Sequence, residues 1–112
     1  MKYGDVFWVD LPDRQGREQS GRRPAVIWQD TAAFALPTVL MIPLSGQASA
    51  LRFPATHEIQ PTPKNGLGAP SVALVFQLGA CDVRRFGAQI GELDDPDLQS
   101  LQTLARRLQK LP

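Results

Sequence analysis

Cysteine and histidine each occur once in these 112 residues, as Cys81 and His57, and their scarcity closes off several kinds of chemistry. A lone thiol forms no internal disulfide. A lone imidazole without carboxylates at ligand spacing offers neither a structural zinc site nor a catalytic metal triad, so no metal and no other cofactor is expected. One subunit also cannot run an acid–base cycle on two imidazoles. There is no glycine-rich phosphate loop leading into a helix and no nucleophile elbow, so the usual signatures of nucleotide hydrolysis and acyl transfer are missing. Long apolar runs are missing too: even Ser71-Val72-Ala73-Leu74-Val75-Phe76-Gln77 is strand-length, far below the roughly 18 residues that span a bilayer. The amino terminus shows no basic, apolar and small-residue succession of an export signal, so the expected compartment is the cytoplasm, with no membrane role. An excess of one charge is absent as well. Twelve basic and eleven acidic side chains leave a net +1, so any nucleic-acid binding has to be local rather than a property of the whole-molecule field.

What is present fits one globular domain over residues 1–112: 43% of the residues are hydrophobic and 21% charged, too apolar for disorder and too few for two cores. Nine of the twelve basic residues are arginines, and Arg14, Arg17, Arg22 and Arg23 fall within ten positions. Composition alone leaves two readings of that cluster, a solvated loop partnered by Asp13 and Glu18 or an anion site. The local chemistry around Arg23 is more pointed. Pro24 fixes its own φ and pushes Arg23 toward extended geometry, so a guanidinium leaves the backbone where the apolar run Ala25-Val26-Ile27 begins. A planar, permanently charged fork on a stiff base suits phosphate.

Alternation at 5–11 predicts a first strand, with Phe7, Val9 and Leu11 on one face and Val6, Trp8 and Asp10 on the other. Residues 11–22, rich in Pro, Gly and charge, read as a connection. A second strand is expected at 24–29, a short helical turn at 31–36 ended by Pro37, a third strand at 38–42, a small polar loop at 44–52 and an edge strand at 56–59. Residues 60–70 read as a loop, 71–77 as the central strand and 88–93 as the last strand. Asp94-Asp95-Pro96-Asp97 then opens a helix on which Leu98, Leu101, Leu104, Ala105, Leu108 and Leu111 recur at helical spacing, with Arg106, Arg107 and Lys110 at its negative end. That pattern describes a helix covering a core. Short strands with one terminal helix and no βαβ rhythm indicate a mainly β fold, a small, strongly bent antiparallel sheet or barrel with a helix against it. His57 shares strand parity with Ile59 and reads as a packed or edge histidine, and Trp8 and Trp28 read as packing residues.

Arginines, hydroxyls and carboxylates in loops gathered by one curved sheet form a set able to cleave RNA. The ribose 2′-OH already lies beside the scissile phosphate, so a protein need only help remove its proton, neutralise charge on the phosphorane and protonate the leaving oxygen.

Several blocks carry a family pattern: Gly4-Asp5-Val6-Phe7-Trp8-Val9-Asp10-Leu11, Glu18-Gln19-Ser20-Gly21-Arg22-Arg23-Pro24-Ala25-Val26-Ile27, Pro43-Leu44-Ser45, Gln77, Asp82-Val83-Arg84-Arg85 and Ile90-Gly91-Glu92-Leu93. Together they resemble the MazF/PemK-type toxins of bacterial toxin–antitoxin systems. The resemblance implies a small SH3-like antiparallel β-barrel with a C-terminal helix, as in the CcdB/MazF-like folds, and a homodimer. It implies a metal-independent endoribonuclease that cuts single-stranded RNA, leaving 2′,3′-cyclic phosphate and 5′-OH ends. It puts the catalytic guanidinium on Arg23 and a partner hydroxyl on Ser45, where many members have threonine. Glu18, Gln19, Arg22, Arg52, Phe53, Gln77, Arg84 and Arg85 are candidates for RNA contact, Phe53 as a platform for an unstacked base. The implied partner is a cognate antitoxin whose acidic, disordered tail lies over the arginine loop, operator DNA being met only through that complex.

Other roles compete at these positions: an ion pair of Arg23 with Asp5, Asp10 or Glu18, and a loop-turn hydroxyl for Ser45. On the same scaffold, a non-enzymatic inhibitor acting through the terminal helix, like gyrase-poisoning CcdB, and a silent member that binds only RNA or antitoxin are the competing functions. Two departures stand out. Gly79 follows Gln77-Leu78 where many members carry a basic residue, with Arg84 or Arg85 as candidates to compensate, and Thr56-His57-Glu58 is displaced by one residue from the usual pattern.

Overall fold

In the computed structural model, which describes residues 1–13, 16, 18–32 and 35–112, the alternating run at the start forms strand β1 (Asp5–Leu11). There follow β2 (Gly21–Ile27), β3 (Thr38–Ser45), β4 (Thr56–Ile59), β5 (Ser71–Leu74), β6 (Gly79–Asp82), β7 (Phe86–Glu92) and helix α1 (Asp95–Gln109). Single 3-10 turns occupy Ala48–Arg52, Val75–Gln77 and Val83–Arg85. Every pairing is antiparallel, along the path β4-β5-β3-β2-β1-β7, with β6 joined to β3 off that path.

Strand β3 is the hub, in place of the 71–77 segment expected to be central. Its last residues pair with β5 (Leu44 with Ala73, Ser45 with Val72), and its first half pairs with β6 (Thr38 to Met41 against Asp82 to Gly79). One long strand thus serves two short ones in succession, and the 3-10 turn at Val75–Gln77 steps the chain from the first to the second. The expected barrel is not closed by hydrogen bonding: β4 and β7 end the path and do not pair with each other among the described residues. The 44–52 loop is corrected as well, since it contains the end of β3 and a 3-10 turn. Of the helical turn expected at 31–36, residues 33–34 lie outside the described residues, and 31–32 form a simple turn.

Both faces of β1 are buried at different points, unlike the one-faced strand that alternation suggests. Val6 joins Val26, Ile42, Leu44, Ile59, Leu101 and Ala105 in the larger core, while Val9 and Leu11 join Ala25, Met41 and Cys81 in a second cluster. A bent sheet does this, because each face becomes the inside at a different stretch of the strand. Leu101 and Ala105 anchor α1 in the core, with Leu98 and Leu104 packed partly against it. Leu108 and Leu111, expected on the same face, are exposed; the helix stops at Lys110, whose φ of 57° is left-handed.

Acids at the start of α1, the N-cap Asp94 and the first-turn Asp97, fasten neighbouring segments. Asp94 accepts a hydrogen bond from the Thr62 hydroxyl at 2.5 Å. Asp97 meets His57 Nε2 at 2.9 Å, tying the edge strand β4 to the helix. Among the described residues no helix is long and apolar enough to cross a membrane.

Candidate functional site

Extended geometry at Arg23 puts it opposite Val9 on β1, with Pro24 opposite Trp8 and Arg22 opposite Asp10. The Arg23 side chain is exposed, and its Nε donates to the Ser20 carbonyl at 3.2 Å. Among the described residues it makes no ion pair, with Asp5, Asp10, Glu18 or any other acid. Asp5 is buried and accepts from the Lys2 backbone N–H at 2.7 Å instead. Arg22 lays its guanidinium over Trp8, 4.8 Å from the ring centre, an arrangement that orients the cation without neutralising it. Arg14 and Arg17 of the same cluster lie outside the described residues.

Ser45 ends β3 as a buried residue, and its Oγ accepts from the Gln47 backbone N–H at 3.2 Å. It is a strand-end hydroxyl that also braces the following turn. Arg23 and Ser45 line the same groove of about 380 Å³, together with Trp8, Arg22, Leu67 and Ile90. The charged side chains in its described lining are the two guanidiniums, with no carboxylate, so the groove favours an anion and can spread developing negative charge over fixed donors.

Ser45 also borders a cavity of about 160 Å³ lined by Gln19, Gln47, Arg52, Phe53, Phe76 and Gln77. Gln19 and Gln77 continue into a third hollow of about 210 Å³, which Glu18 and Gly79 also line. Through these shared residues the second hollow adjoins both the groove and the third. Gln19 pins the loop before β2 there: its backbone N–H donates to Gln77 Oε1 at 2.8 Å, and its Nε2 donates to the Leu44 carbonyl at 3.4 Å. Glutamines at 19 and 77, far apart in sequence, thereby hold the arginine-bearing segment over β3.

Arg84 and Arg85 sit on the other flank, in a hollow of about 270 Å³ with Trp8 and Arg22, away from Gly79. Arg85 Nη1 donates to the Asp10 carbonyl at 3.3 Å. Arg84 is clasped to Asp82, its Nη2 at 2.8 Å and its Nε at 3.1 Å from the carboxylate. The Arg84 side-chain hydrogen bond first, and its backbone N–H second, hold the Asp82 carboxyl down at about 2 from 3.8. A lowered folded value means that the clasp contributes fully above about 3.8 and is lost as pH falls through about 2. A carbon-13 titration of the Asp82 carboxyl should therefore show its midpoint near 2, and Arg84→Ala should return it toward 4; a midpoint already near 4 in the parent protein contradicts the clasp.

Sequence reasoning missed Phe76, Gln47 and the wall formed by residues 66–71 and Ile90. Phe76 looks like one more residue of an apolar strand, and only the 3-10 turn swings it outward. The wall carries no chemical signal, since its members are small or apolar.

Residues 2–110 match the family model described as PemK-like, MazF-like toxin of type II toxin–antitoxin system. The chain is 34% identical over 102 residues to Endoribonuclease MazF of Staphylococcus saprophyticus, covering 90% of this chain and 84% of that protein. Its fold is similar to the crystal structure of MazF (Form-I) from Deinococcus radiodurans, with a TM-score of 0.83, 23% identity and coverage of 99% and 97% of the two chains. It is also similar to an endoribonuclease in complex with its cognate antitoxin from a mycobacterial species, with a TM-score of 0.72, 17% identity and coverage of 100% and 95%.

Proposed function

This chain belongs to the PemK-like, MazF-like toxins of type II toxin–antitoxin systems, and on that premise we propose that it is an endoribonuclease that cuts single-stranded RNA without a metal. The observation that carries the proposal is the meeting of Arg23 and Ser45 in one groove that holds guanidiniums and no carboxylate in its described lining. Within the groove the substrate's 2′-oxygen attacks the adjacent phosphorus, forming the cyclic ester as the bond to the 5′-oxygen breaks. The 2′ proton leaves and the departing oxygen gains one, giving a 2′,3′-cyclic phosphate and a 5′-OH. Arg23 neutralises the phosphorane, and the Ser45 hydroxyl donates to a nonbridging oxygen. Gln19, Glu18 and Gln77 shape the floor along which the strand runs, while Arg22 and Arg85 attract its backbone on the far flank, Arg84 being paired with Asp82.

The same reading assigns the whole of residues 1–112 to one toxin domain acting in the cytoplasm as a homodimer. Its partner is an antitoxin with an acidic, disordered tail, attracted to the guanidiniums of the groove; operator DNA is reached through that complex. The similarity to a relative solved with its cognate antitoxin supports this partnership.

The test is direct. Purified protein incubated with a long defined RNA in EDTA should yield fragments whose 5′ ends accept phosphate from a kinase without prior phosphatase and whose 3′ ends are cyclic. Intact RNA, or 5′-phosphate ends, would exclude the proposal.

A further inference from the structure

Next to Ser45, the smaller cavity combines features that the cleavage chemistry does not use. Phe53 and Phe76 meet at 5.5 Å between ring centres with planes inclined by 53°. The Arg52 guanidinium lies 4.3 Å from the Phe53 ring centre, and its Nη1 donates to the Ser49 carbonyl at 2.9 Å, which holds it there. Phe53 is half-buried, while Phe76 remains 38% exposed. Phe76 thus lines the cavity while remaining open to water.

We propose that Phe76, backed by Phe53 and Arg52, is the stacking platform for one unpaired nucleobase of the RNA strand immediately beside the scissile phosphate. The proposal rests on the ribonuclease reading and extends it to the positioning of the substrate. Three observations point to a nucleobase. The cavity adjoins the arginine groove at Ser45, so a strand that runs from the groove past Ser45 brings a base to it. The lining supplies the exposed amide of Gln47 to meet a base edge, together with an arginine for the attached phosphate. Phe53 is already engaged by Arg52 and Phe76, which fixes the inner ring and leaves the outer one to stack. Single-strand recognition uses this combination of π-face, edge donors and cation.

The test uses 2′-O-methylated single strands, which bind but cannot be cut, carrying 2-aminopurine at successive positions. The wild-type protein should quench one position strongly. Phe76→Ala should remove that quenching and weaken binding about tenfold or more, as expected for loss of one base–aromatic stack, and Phe76→Trp should restore both. Failure of the wild type to bind the probes, or equal affinity and quenching in Phe76→Ala, overturns the platform. So does a loss of binding that tracks a change in sedimentation, which would make the patch a seam between copies of this chain. Cutting of ordinary RNA by the wild type is scored separately: binding and quenching without cutting keeps the platform and sinks the ribonuclease reading, and cutting with an indifferent Phe76 does the reverse.

Discussion

Arg23→Ala is expected to lower RNA cutting by about 10²- to 10³-fold, the loss that follows removal of one preorganised donor to developing oxyanion charge. The variant should fold normally. In the described structure the side chain is exposed and makes one hydrogen bond, to the Ser20 carbonyl, so its removal costs at most about 1 kcal/mol of stability. Arg23→Lys keeps the charge and loses the planar fork, and should recover part of the rate and most of the RNA affinity. Affinity and rate therefore separate: in Arg23→Ala the slope of log affinity against log salt should fall by about 0.7, because one phosphate of the strand no longer meets a cation, while the rate falls far more. Ser45→Ala should reduce cutting by a smaller factor, because the hydroxyl contributes a neutral hydrogen bond and its removal also frees the Gln47 N–H. Full cutting by Arg23→Ala would remove this residue from the chemistry altogether.

Much of this was open to a reader of the sequence, for identifiable reasons. Strand β1 and helix α1 follow from local period, since alternation and the recurrence of Leu98, Leu101 and Ala105 report on neighbours a few residues away, while β2, expected at 24–29, begins earlier and runs Gly21–Ile27 because its first residues pair with the end of β1. The length of β3 did not follow, because Pro43 lacks a donor and suggests a strand end after Ile42; in the fold it sits within the strand opposite Ala25. The division of 71–77 into a strand and a 3-10 turn was equally hidden, because the turn is dictated by the two partners that β3 accepts in succession. The site divides along the same line. Arg23 and Ser45 were legible as motif positions, and Pro24 explained the posture of the arginine. That Gln19 and Gln77 clasp each other, that Arg84 is spent on Asp82, and that Phe76 faces outward are consequences of long-range packing which no local pattern encodes.

The wall of the groove supplies the second large effect, on stability and through it on activity. Asn65→Ala is expected to destabilise the fold by about 3–5 kcal/mol, a large part of the 5–15 kcal/mol that holds a typical domain. Asn65 is fully buried. Its Oδ1 accepts from the backbone N–H groups of Thr62 and Leu67, both at 3.0 Å, and its Nδ2 donates to the Gln60 carbonyl at 2.9 Å. Alanine leaves two donors and one acceptor of the backbone unpaired: the buried Leu67 N–H costs about 1–3 kcal/mol, and the part-buried Thr62 N–H and Gln60 carbonyl add about 1 kcal/mol each. No compensating shift is easy, because the segment is packed against β7: a Cβ on Gly91 would lie 2.5 Å from the Lys64 carbonyl oxygen, and one on Gly66, whose φ is +67°, would lie 2.2 Å from the Ile90 carbonyl oxygen. Since Leu67 and Ile90 line the groove that holds Arg23 and Ser45, loosening this wall should also lower RNA cutting below the new melting temperature, with the guanidinium untouched. Calorimetry should show a fall in melting temperature on the order of 15 °C. Asn65→Asp keeps an acceptor oxygen for the Thr62 and Leu67 N–H groups but removes the donor and buries a charge, and so should recover stability only as pH falls and the carboxyl protonates. A melting temperature for Asn65→Ala within about 3 °C of the parent, well under 1 kcal/mol for a chain of this size, would mean that the backbone groups find other partners and that the wall is not held from position 65.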